Sequence, residues 1–282
     1  MAASLPAVLP AEVRAALSAA QRRLSGDYEE DEWGFDPGYA QAVQPLFDFL
    51  YDRWWRVHAT GVDSVPARGP ALIVANHAGV LPYDALMLAT AIRRATAARD
   101  ARFLVLDRTF ELPWAGVAMR RIGAVPASSH NALGLLKAGH VAMAFPEGAM
   151  GTGKPYSERY RIERFGRGGF IEVALRAQAP IIPCAVVGSE EIYPVLRNIP
   201  LAARLLRTPF FPLTPTFPLL GPLGLIPLPS KWHIAFGAPI DLGHPPQAAE
   251  DRALVLSLSD RVRETLQRSV HDTVIRRKAA FL

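Results

Sequence analysis

Short, nearly unbroken apolar runs alternate along this chain with stretches whose large apolar residues recur at helical spacing. Residues 71–75, 102–106, 124–126, 141–145 and 181–187 read as strands, because a continuous run of small and branched apolar residues suits a strand covered on both faces. Residues 83–94, 114–121, 131–138 and 165–177 read as the helices between them. The alternation predicts an α/β fold: a mostly parallel central sheet covered by helices, with further helices at the N-terminus. Ligands of open α/β sheets bind at the edge where the parallel strands end, which singles out Asn76, His77 and Glu147, the polar residues that follow two of these runs.

The flanking regions follow other patterns. Residues 10–24 predict a short helix, and 26–38 form an acidic connector with Asp27, Glu29, Glu30, Asp31, Glu32 and Asp36, read as a solvated linker. Over 45–57, Leu46, Phe49, Leu50 and Trp54 recur as on one helix face. That helix either packs on the core or, through Trp54 and Trp55 beside arginines, sits in a lipid headgroup layer. Residues 200–229 hold eight of the 25 prolines together with many leucines and phenylalanines. So many prolines forbid a continuous helix or central strand, which leaves an apolar excursion that packs on the domain, lines a channel or dips into headgroups. A strand over 232–236 and a helix from about 249, with Leu254, Leu258, Val262 and Leu266 four apart, close the chain. The organisation expected is an N-terminal segment (1–58), an α/β domain (59–248) and a packed C-terminal helix (249–282).

Composition narrows the class. The 282 residues carry 50% hydrophobic and 20% charged side chains, ordinary for a globular chain able to bury a full core. Cys184 is the only cysteine, so no internal disulfide framework or thiolate metal cluster forms, and a reducing compartment suits the chain. The net charge of +5 favours anionic partners mildly and is too small to imply nucleic acid. The first residues lack the pattern of a secretory signal, and no run of about 18 apolar residues predicts a membrane span. The expectation is a cytoplasmic protein, peripheral at the cytoplasmic face of the membrane.

The chemistry concentrates in two blocks. Asn76-His77-Ala-Gly-Val-Leu-Pro82-Tyr-Asp84 follows a strand and opens a helix. Histidine titrates near neutrality and is the natural base for a hydroxyl, best when a carboxylate fixes its tautomer; Asp84 is placed to do so if Gly79 and Pro82 turn the loop. A histidine after a strand can equally be a structural hydrogen-bonder. Phe145-Pro146-Glu147-Gly148 ends another strand, with Arg159, Arg161, Arg164 and Arg167 beyond it; its carboxylate can orient a hydroxyl, hold an arginine, or simply belong to a turn.

Over roughly residues 66–240 these blocks, in this order, resemble the glycerolipid acyltransferase family, which includes lysophosphatidic-acid acyltransferases. Asn76, His77 and Asp84 stand for its Asn-His-x4-Asp motif, and residues 114–129, with Arg120, Arg121, Gly123 and Pro126, occupy its second block. Phe145 to Gly148 match its Phe-Pro-Glu-Gly block. Phe165-Gly-Arg167-Gly168 is similar to its Phe-Lys-x-Gly turn, and Ala179-Pro180-Ile-Ile-Pro183 to its Val-Pro-Ile-Val-Pro block. Two departures stand out. Six residues separate His77 from Asp84, and the arginine that closes the family's second block, expected to grip an acceptor phosphate, falls at Ser129 or its neighbours Ser128 and His130. With Glu190-Glu191-Ile-Tyr193 downstream, the pattern looks closer to the branch that esterifies neutral lipids such as diacylglycerol; neutral and lysophospholipid acceptors both stay open.

The resemblance implies acyl transfer from a thioester, acyl-CoA or acyl carrier protein, to a lipid hydroxyl, with His77 as base and Asp84 as its partner and no bound cofactor or metal. Asn76, Arg120, Arg121, Glu147, Gly148, Lys154 and Arg167 are the expected substrate-binding residues, and membrane lipids the expected partner. Gly148-Ala-Met-Gly-Thr-Gly153-Lys154-Pro155 nearly spells a P-loop, but Pro155 stands where a Mg²⁺-binding hydroxyl is required; Lys154 is instead a candidate contact for a CoA phosphate. Serine-hydrolase and zinc motifs are absent from the sequence. The competing readings are a non-catalytic lipid-binding protein of the same fold and an acyl thioesterase.

Overall fold

A strand made only of Ala, Leu, Ile and Val has nothing to present to water on either face, so the chain must cover both. The computed structural model describes residues 18, 21–22, 25–26, 28–77, 82–96, 99–111, 115–205, 211–277 and 279–281. Its elements are α1 (Pro37–Phe49), running on as a π-turn over Leu50–Trp54, β1 (His58–Thr60), β2 (Ala71–Ala75), α2 (Tyr83–Ala95), β3 (Ala101–Val105), α3 (Arg108–Glu111), α4 (Ala115–Arg121), β4 (Ala124–Pro126) and α5 (Ser129–Lys137). There follow β5 (Val141–Ala144), α6 (Ala149–Thr152), α7 (Gly169–Ala177), β6 (Ile181–Val187), β7 (Arg197–Asn198), α8 (Pro200–Leu205), β8 (Pro212–Leu213), β9 (His233–Phe236) and α9 (Arg252–Arg276).

Seven strands form one sheet in the order β1-β9-β6-β2-β5-β3-β4. Neighbours run parallel except β6 and β9, so the mostly parallel sheet covered by helices is what the chain forms. Strand periodicity then divides β2: Ile73 and Ala75 enter a core with Trp55, Met87, Ile92, Phe103 and Trp232, while Leu72 and Val74 enter a second one with Leu135, Ile171, Leu258 and Leu266. Helices α1 and α2 cover the first face; α5, α7 and α9 cover the second.

Most strand boundaries match the sequence reading to within a residue, and the departures have local causes. The helix expected over 165–177 begins at Gly169, because Gly168 turns the chain at φ +74° against Val255 of α9. Strand β1 is too short and polar to read from sequence; it forms because β9 offers it a parallel edge, His58 opposite His233. The helix expected over 45–57 starts at Pro37, where Asp36 accepts from the Tyr39 amide at 2.8 Å, and it is core-packed: Trp55 is fully buried and stacks on Trp232 at 4.8 Å. The helix expected over 10–24 lies almost wholly outside the described residues, as does Gly79.

The acidic connector is not a solvated linker. One Asp31 oxygen accepts from the amides of Trp33 and Phe35, both at 2.9 Å, and the other meets Arg102 of β3 at 2.7 Å. Arg102 points from a strand into the protein and its guanidinium lies 3.7 Å from the centre of the Phe35 ring; a buried cation needs this counter-charge. Asp31→Ala should therefore cost about 3 kcal/mol of unfolding free energy, whereas Glu29→Ala, at an exposed neighbour, should change it by less than about 0.5 kcal/mol. Chemical denaturation of both variants checks this, and equal effects would restore the linker reading.

Candidate active site

The site grows out of the end of β2. Asn76, the first residue past the strand, is buried, and its side-chain amide exchanges two 2.8 Å hydrogen bonds with the backbone of Val186 in β6. It thereby prolongs the β2–β6 ladder with a side chain and fixes where His77 begins. The His77 amide donates to Glu147 Oε1 at 2.9 Å. Its ring packs on Phe145 at 4.8 Å, and Nδ1 lies 2.6 Å from Oδ2 of Asp84.

Asp84 has no exposed surface and sits in the first turn of α2, where the helix dipole favours a carboxylate. The longer spacing between His77 and Asp84 therefore does not prevent their contact. Burial pulls the His77 imidazolium down, but the adjoining Asp84 carboxylate, helped by Glu147, more than offsets it, leaving the ring with a pKa above the usual histidine value of 6.5. The His77 side chain keeps 18% of its surface exposed, and among the described residues nothing hydrogen-bonds Nε2. An imidazole held in this way, Nδ1 tied to a carboxylate and Nε2 open, can accept a proton from a bound hydroxyl.

Behind His77 lies a buried charge cluster. Glu147 Oε2 accepts from the Glu163 amide at 2.7 Å and meets Lys154 Nζ at 3.3 Å; the same Nζ reaches Glu190 at 3.2 Å, and the other Glu190 oxygen accepts from the Tyr160 amide at 2.6 Å. Desolvation drives Glu190 up to about 7, against the pull of Lys154 and with a further push from Glu147. Lys154 is lowered by burial but raised more strongly by Glu190 and Glu147, so it stays charged. Glu147 thus holds the His77 backbone rather than a substrate.

The remaining candidates separate. Gly148 turns at φ +55° and a Cβ there would meet nothing within 4 Å, so it borders open space. Lys154 is enclosed by two carboxylates, which removes it as a contact for a CoA phosphate. Arg120 and Arg121 end α4, just before β4 begins, and so lie at the opposite edge of the sheet from His77; they stack over Phe110 and Tyr39. No contact among the described residues joins either to His77. Asn76, spent on Val186, is likewise structural. Arg167 is exposed beside the start of α7, the helix of the opposite face. Where the family's arginine is expected, Ser128 caps α5, accepting from the Asn131 amide at 3.1 Å, and with Ser129 lines a cavity of about 170 Å³.

Residues 56–187, from the end of the π-turn through β6 and including His77, Asp84 and Glu147, match the family model described as Acyltransferase. An uncharacterized protein of Mycobacterium tuberculosis is 49% identical over 264 residues, covering 93% of this chain and 74% of its own length. The chain belongs to the glycerolipid acyltransferase superfamily. A Bos taurus protein described as a DGAT1/2-independent enzyme synthesizing storage lipids is 27% identical over 199 residues, 70% of this chain and 58% of the relative. The crystal structure of the 1-acyl-sn-glycerophosphate acyltransferase of Thermotoga maritima superposes with a TM-score of 0.59 over 95% of this chain and 93% of that one, at 16% identity, a likeness of fold.

Two residues of this candidate site escape sequence reasoning. Glu190 lies far along the chain from Lys154, and only the fold joins them. Gly151 is needed because a Cβ there would sit 2.9 Å from the His77 carbonyl oxygen and 3.2 Å from its Cβ; its signal was the glycine-rich stretch that imitates a P-loop. Lys154→Met should lower the unfolding free energy by about 3 kcal/mol at neutral pH. The loss should grow as pH rises, since Glu190 then ionises beside Glu147 with no cation between them. Denaturation curves across this range check it, and a pH-independent loss would contradict the cluster as described.

Proposed function

We propose that the protein transfers an acyl group from a thioester, acyl-CoA or acyl carrier protein, to a glycerolipid hydroxyl, with His77 as general base. The observation that carries this reading is the 2.6 Å contact between His77 Nδ1 and the buried Asp84 carboxylate, with Nε2 unbonded among the described residues. The acceptor hydroxyl gives its proton to Nε2 as its oxygen bonds to the thioester carbonyl carbon. The tetrahedral adduct then collapses with cleavage of the C–S bond, and the imidazolium returns the proton to the departing thiolate. Asp84 stabilises the imidazolium while it exists.

An uncharged acceptor hydroxyl, as in mono- or diacylglycerol, suits the site better than a phosphorylated one. Lys154 is committed to two carboxylates, Arg120 and Arg121 lie at the far edge, and serines replace the expected arginine. The storage-lipid description of the bovine relative supports the same choice.

Purified protein given labelled acyl-CoA with diacylglycerol, monoacylglycerol or lysophosphatidate tests the reading. Labelled ester should appear with the uncharged acceptors; free acid alone would indicate a thioesterase, and no turnover with any donor a binding protein. His77→Ala should fold yet lose about 10²–10⁴ in rate. Because the base works only when neutral and Asp84 raises its pKa, wild-type kcat/KM should fall below a midpoint above pH 6.5. In Asp84→Asn that midpoint should move to lower pH as the rate drops; an unmoved midpoint would remove His77 from the role.

A further inference from the structure

The segment from β7 to β9 is built inside out. Its polar groups are spent inward: Thr214 is buried and its hydroxyl accepts from the Phe217 amide at 2.8 Å, Thr216 donates to the Gly224 carbonyl at 3.2 Å, and the Tyr193 hydroxyl donates to the Leu225 carbonyl at 2.6 Å. Three successive residues of the π-turn region secure the segment's end. The indole N–H of Trp54 donates to Pro227 at 3.0 Å, that of Trp55 to Leu228 at 3.1 Å, and the Arg56 guanidinium to Pro229 at 3.2 Å. The leucines point the other way. Leu201, Leu205 and Leu219 are 76%, 82% and 83% exposed, and Leu220, Leu223 and Ile226 are at least half exposed. A water-facing loop has the reverse distribution.

From Ile192 to Ile240 the sequence contains no aspartate or glutamate. At the foot of the segment, Arg56, His58, Lys231 and His233 line an open cavity of about 470 Å³, with Asp52 its one lining carboxylate. Exposed leucines on a stretch free of acidic residues, with Arg56 and Lys231 outnumbering Asp52 at its end, match a surface with an apolar interior and an anionic face. Trp55, which holds Leu228, also packs its ring against that of Tyr83, the neighbour of Asp84, at 5.0 Å, so the end of the segment adjoins the site.

We infer that the exposed Leu201, Leu205, Leu219, Leu220, Leu223 and Ile226, with the cavity lined by Arg56 and Lys231, form the surface by which the protein docks on an anionic lipid bilayer. This deepens the proposed function and rests on its reading that the acceptor is a lipid. Docking puts the apolar side chains among acyl chains and the cavity at headgroup level, and brings the mouth of the site to the membrane where a water-insoluble acceptor resides.

Flotation of the full chain with vesicles of phosphatidylcholine and phosphatidylglycerol tests the surface without reference to turnover. Wild-type protein should float at low salt, and less on phosphatidylcholine alone. A Leu219→Ser, Leu220→Ser, Leu223→Ser variant should partition about tenfold less or worse with its unfolding midpoint unchanged. Wild-type protein that stays soluble, or a variant that floats as well as wild type, overturns the inference. So does a wild-type dimer in sedimentation that the triple variant dissociates, which would make a second copy of the chain the occupant. Floating protein that makes no ester would refute the proposed activity and leave this surface standing; ester formed by protein that does not float would do the opposite.

Discussion

A carboxylate sealed from water must be met by hydrogen-bond donors, and in this chain the sealed Asp84 is met by the ring of His77 at 2.6 Å. The contact makes a common side chain specific. It ties one ring nitrogen to a carboxylate and raises the ring's pKa, and the proposed chemistry uses the other nitrogen. The surrounding structure can be understood as what holds this pair in register. Asn76 extends the β2–β6 ladder by one more rung, Phe145 supports the ring face, and Asp84 enters on the first turn of a helix whose dipole favours it.

The second requirement is that the His77 backbone be held as firmly as its ring. Glu147 meets it by accepting the His77 amide with one oxygen and the Glu163 amide with the other, while Lys154 holds the charge of Glu147 and is shared with Glu190. Burial in this dry space raises Glu190 to about 7 against the pull of Lys154, with a smaller push from Glu147. The Phe-Pro-Glu-Gly block therefore works as a brace behind His77, and Gly151 in the turn after it clears the His77 backbone.

How much of this was legible in the sequence depended on how far apart the partners lie. Strands β2, β5 and β6 could be read because burial on both faces leaves continuous apolar runs, and His77 and Glu147 could be found because they end such runs. The Asn76 bond to Val186 spans 110 residues and the Asp31–Arg102 pair 71, distances along the chain that no sequence pattern bridges. Arg120 and Arg121 show another limit. Their place in the motif order is right, but α4 carries them across the sheet to the edge where β4 starts, and only the topology reveals that. The apolar excursion showed the opposite behaviour: its composition allowed burial or exposure, and the direction of its leucines was decided by three donors at residues 54–56.

The tautomer of one ring tests the account most directly. In nitrogen-15-labelled protein, the neutral form of His77, identified by its loss in a His77→Gln variant, should carry its proton on Nδ1 and leave Nε2 bare, with a titration midpoint above 6.5. A neutral ring protonated on Nε2, or a midpoint below that of an ordinary histidine, would mean that Asp84 does not hold it, and the catalytic reading would fail.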